Sequence, residues 1–337
     1  MASASTILFV AHDPGAKNHL APLYRRAVEQ GQPAEWLDLA ADPAGQDEPQ
    51  RFLQDRGIAL VVAGSSADGA EWRWIRAAAR CGARSAMMID IGIGTAFDQA
   101  RPAMAPDRFL VTNEHCIAEL AQRGFATDRV HVTGSPHLEH LRTATAIRRD
   151  PAAVKRSYGI QPDRCLVPVF LPPDGIADRV LAQLHSLVAQ SELKEWAMIV
   201  RPHPRDAAWP ASPARRRCDS LMDVLADDAC VVDTPSLLAA SVCSLSFGST
   251  VSAESWALGV PSAFFQIDWD FGPLDALYRN LDGIPRLRTA EAFAAFMNDV
   301  AGRRHGADTP GERFAGATAS GWQVLCELLT EKEVRAS

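Results

Sequence analysis

The chain has 337 residues, 47% apolar and 22% charged, which suits two globular cores of roughly 150 residues each rather than a disordered segment. Its 34 basic and 41 acidic side chains leave a formal charge of −7, so no global positive field invites nucleic acid. No run approaches 18 apolar residues, MASAST carries no charged leader region, and the seven cysteines (81, 116, 165, 218, 230, 243 and 326) show no C-x-x-C spacing. These features predict a cytoplasmic protein with reduced core thiols, no zinc site and no redox motif.

Thr6 to Ala11 (TILFVA) reads as a compact apolar strand, and the polar loop HDPGAKN leads into an amphipathic helix ending near Gly31. Further strands are predicted at Glu35 to Leu39, Ile58 to Ala63, Arg84 to Asp90, Arg108 to Val111 and Val130 to Thr133, with helices near 50, 75 and 118. After Val130 to Thr133 a helix is expected to run to about Arg149, and Asp150-Pro151 marks a break. A second series follows: a strand at Cys165 to Leu171, a helix at Ile176 to Gln190, and strands at Trp196 to Val200, Cys230 to Val232, 242 to 247 and 262 to 267. Arg215 to Arg217 reads as a solvated loop, and a last helix spans about Gly316 to Lys332. Strands alternating with helices imply doubly wound parallel sheets, whose ligands bind at the strand carboxyl ends.

Loops after strands therefore carry the candidate chemistry. In Ala11 to His19, Asp13 and His19 are the candidate general bases, Asp13 ranked first because it lies nearer the strand end; His12 and Asn18 share the loop. Asp90, before the GxG of Gly92 and Gly94, follows another strand. Arg201-Pro202-His203-Pro204-Arg205 directly follows WAMIV; in an extended path its two guanidiniums and imidazole project to one side and suit a phosphate. At Gly248, Ser249 and Thr250 the chain passes from a strand into a helix running to Leu258, which places backbone N–H groups and two hydroxyls where a phosphate is favoured. Glu254 falls outside a capping box and suits a ribose diol. Asp268 to Gly272 (DWDFG) follows the next strand and could flank the nucleotide or the sugar.

The run GSTVSAESWALGVP, from Gly248 to Pro261, resembles the donor-site signature of GT-B glycosyltransferases, and Val132 to Pro136 (VTGSP) resembles the segment that closes their N-terminal domain. The resemblance implies that Gly248, Ser249 and Thr250 meet the donor phosphate and that Glu254 holds the ribose. Non-hydrolysing sugar-nucleotide 2-epimerases share the fold and a related signature. RPHP further resembles the His-Pro motif of bacterial polysialyltransferases, Kdo transferases and CDP-glycerol transferases, which implies donor phosphate contact at His203 with Arg201 and Arg205 beside it. His19 to Pro22 is similar in spacing to the His-x-x-Pro of the peptidoglycan N-acetylglucosaminyltransferase, with a different loop before it.

Together these readings predict a GT-B protein with two Rossmann-like domains facing a central cleft. Residues 1–150 form the acceptor-side domain, 151–315 the nucleotide-donor domain, and 316–337 a helix that packs back on the first. The predicted activity is an inverting, metal-independent glycosyltransferase without a cofactor. It takes a nucleotide-sugar donor, CMP-activated in preference to UDP-activated, and a glycan, glycolipid or protein-linked acceptor, with peripheral membrane contact left open. The rivals are a non-hydrolysing UDP-sugar 2-epimerase and a catalytically inactive nucleotide-sugar-binding protein.

Overall fold

The computed structural model describes residues 5–41, 48–90, 97, 100–144, 150–172, 176–189, 195–203, 206, 208–221, 223–247, 249–266, 283–302 and 314–336. The chain divides into two compact units: Met1–His140 with Phe314–Ser337, and Leu141–Gly272 with Leu281–Arg313.

In unit 1 the strands are β1 (Thr6–Ala11), β2 (Ala34–Asp38), β3 (Ile58–Ala63), β4 (Arg84–Ile89), β5 (Arg108–Val111) and β6 (Val130–Val132). Among the described residues they form one parallel sheet in the order β2-β1-β3-β4-β5-β6. The helices α1 (Pro14–Glu29), α2 (Pro49–Asp55) and α3 (Trp72–Cys81) follow β1, β2 and β3, and α4 (His115–Gln122) and α5 (Pro136–Thr143) follow β5 and β6. All six residues of β3 are buried, as expected of a strand covered on both faces. Alternate residues serve opposite faces: Ile7, Phe9 and Ala11 pack with Leu20 and Leu23, whereas Leu8 and Val10 pack with Leu53 and Trp74.

Unit 2 repeats the plan. Helix α6 (Pro151–Ser157) begins at Asp150, whose carboxylate accepts the Ala152 N–H at 2.9 Å, a Ser/Asp-type cap followed by proline at the first helical position. Its strands are β7 (Cys165–Phe170), β8 (Trp196–Arg201), β9 (Val224–Ala226), β10 (Ser244–Ser246), β11 (Ser262–Phe265) and β12 (Arg286–Leu287). They are parallel, in the order β12-β11-β10-β7-β8-β9. The helices are α7 (Ala177–Ala189), α8 (Pro213–Asp219), α9 (Thr234–Ala239), α10 (Val251–Ala257) and α11 (Ala290–Gly302). The last helix, α12 (Ala317–Ala336), belongs to unit 1, where Val324, Leu325 and Leu328 join the cluster formed by α1 and the sheet. Its start is capped from a distance: Glu139 accepts the Gly316 N–H at 2.5 Å and the Thr318 N–H at 2.7 Å.

Three expectations are corrected. The strand predicted at Cys230 to Val232 is at Val224–Ala226 instead; Cys230 has φ 46°, a left-handed conformation incompatible with a strand, and is exposed rather than core. Arg215 to Arg217 lie on α8, not in a loop, and two of them are paired: Arg215 with Asp219 and Asp228, Arg217 with Asp178. The short β12 was not foreseen; two residues are too few to carry a period.

Candidate functional site

Each sheet reverses its strand order once. In unit 1, β1 has β2 on one side and β3 on the other; in unit 2, β7 has β8 on one side and β10 on the other. Successive crossovers leave such a pair in opposite directions, so the loops at its carboxyl ends splay apart and open a crevice. The structure thus marks two candidate crevices, and each is best described by itself.

In unit 1 the crevice is bordered by the loops after β1, β3 and β4. Glu71, 0% exposed, ties the first two together. It accepts the His12 N–H at 3.0 Å and the Ser66 N–H at 3.2 Å, and also the Ser66 hydroxyl. Ser66 Oγ in turn accepts the Asp13 N–H at 2.8 Å, and Asp13 Oδ2 accepts the Ala67 N–H at 2.8 Å. Burial raises the Glu71 carboxyl above its ordinary value, against the pull of these donors. His12, Asp13 and Asp68 gather at the partly exposed edge, with His12 Nδ1 3.1 Å from Asp68 Oδ2 and 3.7 Å from Asp13 Oδ1. Asp90 borders the start of α1: a Cβ on Gly15 would lie 2.8 Å from Asp90 Oδ2. Gly64 is required for the same close approach, since a Cβ there would meet that of Ala16 at 2.4 Å.

His19 stands apart from this edge. It is buried one turn into α1; Nδ1–H donates to the Gly15 carbonyl at 3.0 Å, which leaves Nε2 to accept the Ser135 hydroxyl at 2.9 Å. Burial, with His137 nearby, lowers its pKa to about 3 against the opposing effect of the Gly15 bond. Both ring nitrogens are engaged, so this imidazole holds the 133–135 loop to α1 as a neutral group. Asn18 is exposed on the same helix.

In unit 2 the crevice is bordered by the ends of β7 and β10, with β8 beside them. Arg201, 5% exposed at the end of β8, is hydrogen-bonded within unit 2 rather than held out for a phosphate. Its Nε donates to Asp227 at 3.0 Å, and its terminal nitrogens donate to Thr234 Oγ1 at 2.9 Å, Tyr158 Oη at 3.2 Å and the Val232 carbonyl at 2.6 Å. Tyr158 donates to the same carboxylate at 2.7 Å. The guanidinium is consumed in joining β8 to the segments around β9, α9 and α6. His203, two residues on, is half-buried in the loop that follows.

After β10, Ser249 is half-buried and Thr250 exposed at the start of α10, and Ser249 Oγ accepts the Val251 N–H at 3.3 Å. Thr250 is the N-cap but makes no side-chain cap; Glu254 sits one turn into the helix, partly exposed. Beneath this turn lies a buried serine cluster that sequence reasoning missed. Ser244 Oγ is 2.9 Å from Ser255 Oγ and 2.8 Å from Ser262 Oγ; Ser252 Oγ is 2.8 Å from both Ser246 and Ser262 Oγ. None of the five is more than 1% exposed. Their small side chains let α10 sit close to β10 and β11, and each hydroxyl finds a partner that makes burial tolerable. The available signal was serine at i, i+2 on the strand and i, i+3 on the next helix. Ser66, Asp68 and Glu71 were missed too, although the rule favouring loops after strands pointed at them. Arg205, Gly248, the Gly92-x-Gly94 segment and Asp268 to Gly272 lie outside the described residues.

No family model matches the chain, and no curated protein matches it in sequence. Solved structures do match its fold. A UDP-GlcNAc 2-epimerase from Neisseria meningitidis bound to UDP-GlcNAc is 12% identical with a TM-score of 0.69, over 97% of this chain and 100% of that one. The enzyme of the same name from Methanocaldococcus jannaschii gives 12% and 0.68, over 96% and 99%. A glycosyltransferase from Rickettsia africae gives 11% and 0.61, over 99% and 98%. The fold is GT-B-like, as in the UDP-GlcNAc 2-epimerases. The expectation of a transferase with a CMP-activated donor is overturned, because the structures that match at the higher scores are UDP-GlcNAc 2-epimerases. The physical reason lies in the motifs. A helix start bearing hydroxyls suits a phosphate whether the sugar is transferred or epimerised, so the motif says nothing of the base or of a second substrate. Among the described residues no helix is long and apolar enough to cross a membrane.

Proposed function

We propose that this chain is an enzyme acting on a UDP-sugar, as a non-hydrolysing 2-epimerase of UDP-GlcNAc or a close analogue. The observation that carries the reading is the likeness, along nearly the whole chain, to a 2-epimerase bound to that sugar nucleotide. The sites add chemistry consistent with it. Ser249, Thr250 and His203 border the unit 2 crevice and suit the diphosphate, Glu254 suits the ribose, and the Asp13 loop of unit 1 supplies proton-transfer groups.

The reaction constrains what those groups must do. The hydrogen on C2 of such a sugar has no neighbouring carbonyl to stabilise a carbanion. Its loss to a base is therefore coupled to departure of UDP from C1: the C–H pair becomes a C1=C2 bond and the C1–O pair leaves with UDP. Return of UDP to C1 with protonation of the opposite face of C2 completes the inversion. Nothing is oxidised overall and no second substrate is consumed.

The test is incubation of the full chain with UDP-GlcNAc alone in D2O, followed by proton NMR. Appearance of the 2-epimer with deuterium at C2 is expected. UDP at one hundred times its dissociation constant should stabilise the fold by about 2.7 kcal/mol, with CMP well below it. A chain that ignores UDP and leaves UDP-GlcNAc unchanged would sink the reading.

A further inference from the structure

We propose that His12, backed by Asp68, is the acid–base residue of unit 1, and that Asp13 beside it is a loop staple rather than the base. This rests on the reading of the chain as a 2-epimerase. The argument starts from where each atom is spent. The Asp13 N–H donates to Ser66 Oγ and its Oδ2 accepts from the Ala67 N–H, each at 2.8 Å. These bonds fasten the loop after β1 to the loop after β3, so Asp13 serves to hold the two loops together.

His12 is disposed differently. Its backbone N–H is held by the buried Glu71 carboxylate at 3.0 Å, which fixes where the residue leaves the strand. Its side chain is 33% exposed, yet Nδ1 is shielded from solvent, so the exposed part of the ring lies away from Nδ1. Asp68 Oδ2 lies 3.1 Å from Nδ1, within ion-pair distance, although Nδ1 makes no hydrogen bond as the ring stands. A carboxylate behind Nδ1 selects the tautomer that keeps the proton there and leaves the Nε2 lone pair outward, and it stabilises the imidazolium once Nε2 has taken a proton. The pair stands at the carboxyl ends of β1 and β3, the reversal point of the sheet. Burying Glu71, whose charge is costly there, solely to hold two surface loops makes sense if the geometry of those loops matters.

The step assigned to His12 is transfer between its Nε2 and C2 of the sugar. Nε2 takes the proton, the C–H electron pair forms C1=C2, and the C1–O pair departs with UDP; the imidazolium can return a proton in the reverse direction.

The test compares wild type with His12→Gln, Asp68→Asn, Asp68→Glu and Asp13→Asn, measuring kcat with UDP-GlcNAc, deuterium wash-in at C2 and UDP affinity by calorimetry. His12→Gln should lower kcat and wash-in together by roughly 10²- to 10⁴-fold, with UDP affinity unchanged as evidence that the chain is folded. Asp68→Asn should give a smaller fall that Asp68→Glu partly restores, and Asp13→Asn should lower the melting temperature more than kcat. An active wild type whose His12→Gln variant keeps its wash-in overturns the assignment, as does abolition of wash-in by Asp13→Asn alone. A wild type that binds UDP but neither epimerises UDP-GlcNAc nor exchanges C2 fails earlier, overturning the epimerase reading itself.

Discussion

The two crevices share strand logic and differ in what holds their loops. In unit 1 the loops are tied by carboxylates: Glu71 is buried, Asp13 staples, and Asp68 and Asp90 stand nearby. In unit 2 α10 is joined to β10 and β11 through a cluster of five neutral serines, two of them its own, and the charged pair of Arg201 with Asp227 is closed on itself. A phosphate approaching the first crevice would meet negative charge at close range, whereas the second presents hydroxyls and backbone N–H groups. The same fold has produced one edge suited to moving protons and one suited to anions.

The comparison breaks most readily at Arg201. If it is structural, Arg201→Ala should destabilise the chain by about 3–5 kcal/mol in urea unfolding, because Asp227 is left buried without its partner. The pair Arg201→Met with Asp227→Leu should recover much of that loss. A variant of normal stability that has lost UDP binding would instead return Arg201 to the anion site.

Within unit 1 the burial of His19 can be tested with acid. The His19 pKa is about 3 in the folded chain against 6.5 for an ordinary histidine, so the unfolded state binds the proton first. Its contribution is therefore complete above pH 6.5 and is lost as the pH falls toward 3, a loss of about 5 kcal/mol at the full shift. The slope of stability against pH over that window should flatten in His19→Gln; an unchanged slope would mean that His19 is not the buried neutral group described above.

Smaller effects sharpen the account of the anion edge. Ser249→Ala and His203→Ala should each weaken UDP binding by about 1.5–3 kcal/mol, the worth of one hydrogen bond to a charged group, in titrations of folded protein. Wild-type affinity in both would remove the phosphate from this crevice. Ser262→Ala, which strips a shared partner from Ser244 and Ser252, should cost about 1–3 kcal/mol of stability. A neutral result would show that the serine cluster adjusts to the loss and does not hold α10 in place.

Strand and helix types were legible because buried parallel strands are apolar runs and the intervening helices carry a 3.6-residue period: β1, β3 and β5 fall at their predicted residues. The turn into α10 was legible as well, since a strand ending in Gly-Ser-Thr before a helical run is a local signal. Local patterning could not rank the two histidines seven residues apart in one loop and helix. Ser135, 116 positions away, engages His19, and Glu71, 59 positions away, places His12. Nor could it show that Arg201 is spent on Asp227, 26 residues later, because an arginine after a strand looks the same in sequence whether it awaits a phosphate or already holds a carboxylate. Period and capping are set by neighbours along the chain, so the sequence determined the elements and their order. Burial, tautomer and charge pairing are set by neighbours across space, and only the tertiary structure decided which polar side chains remain open to a substrate.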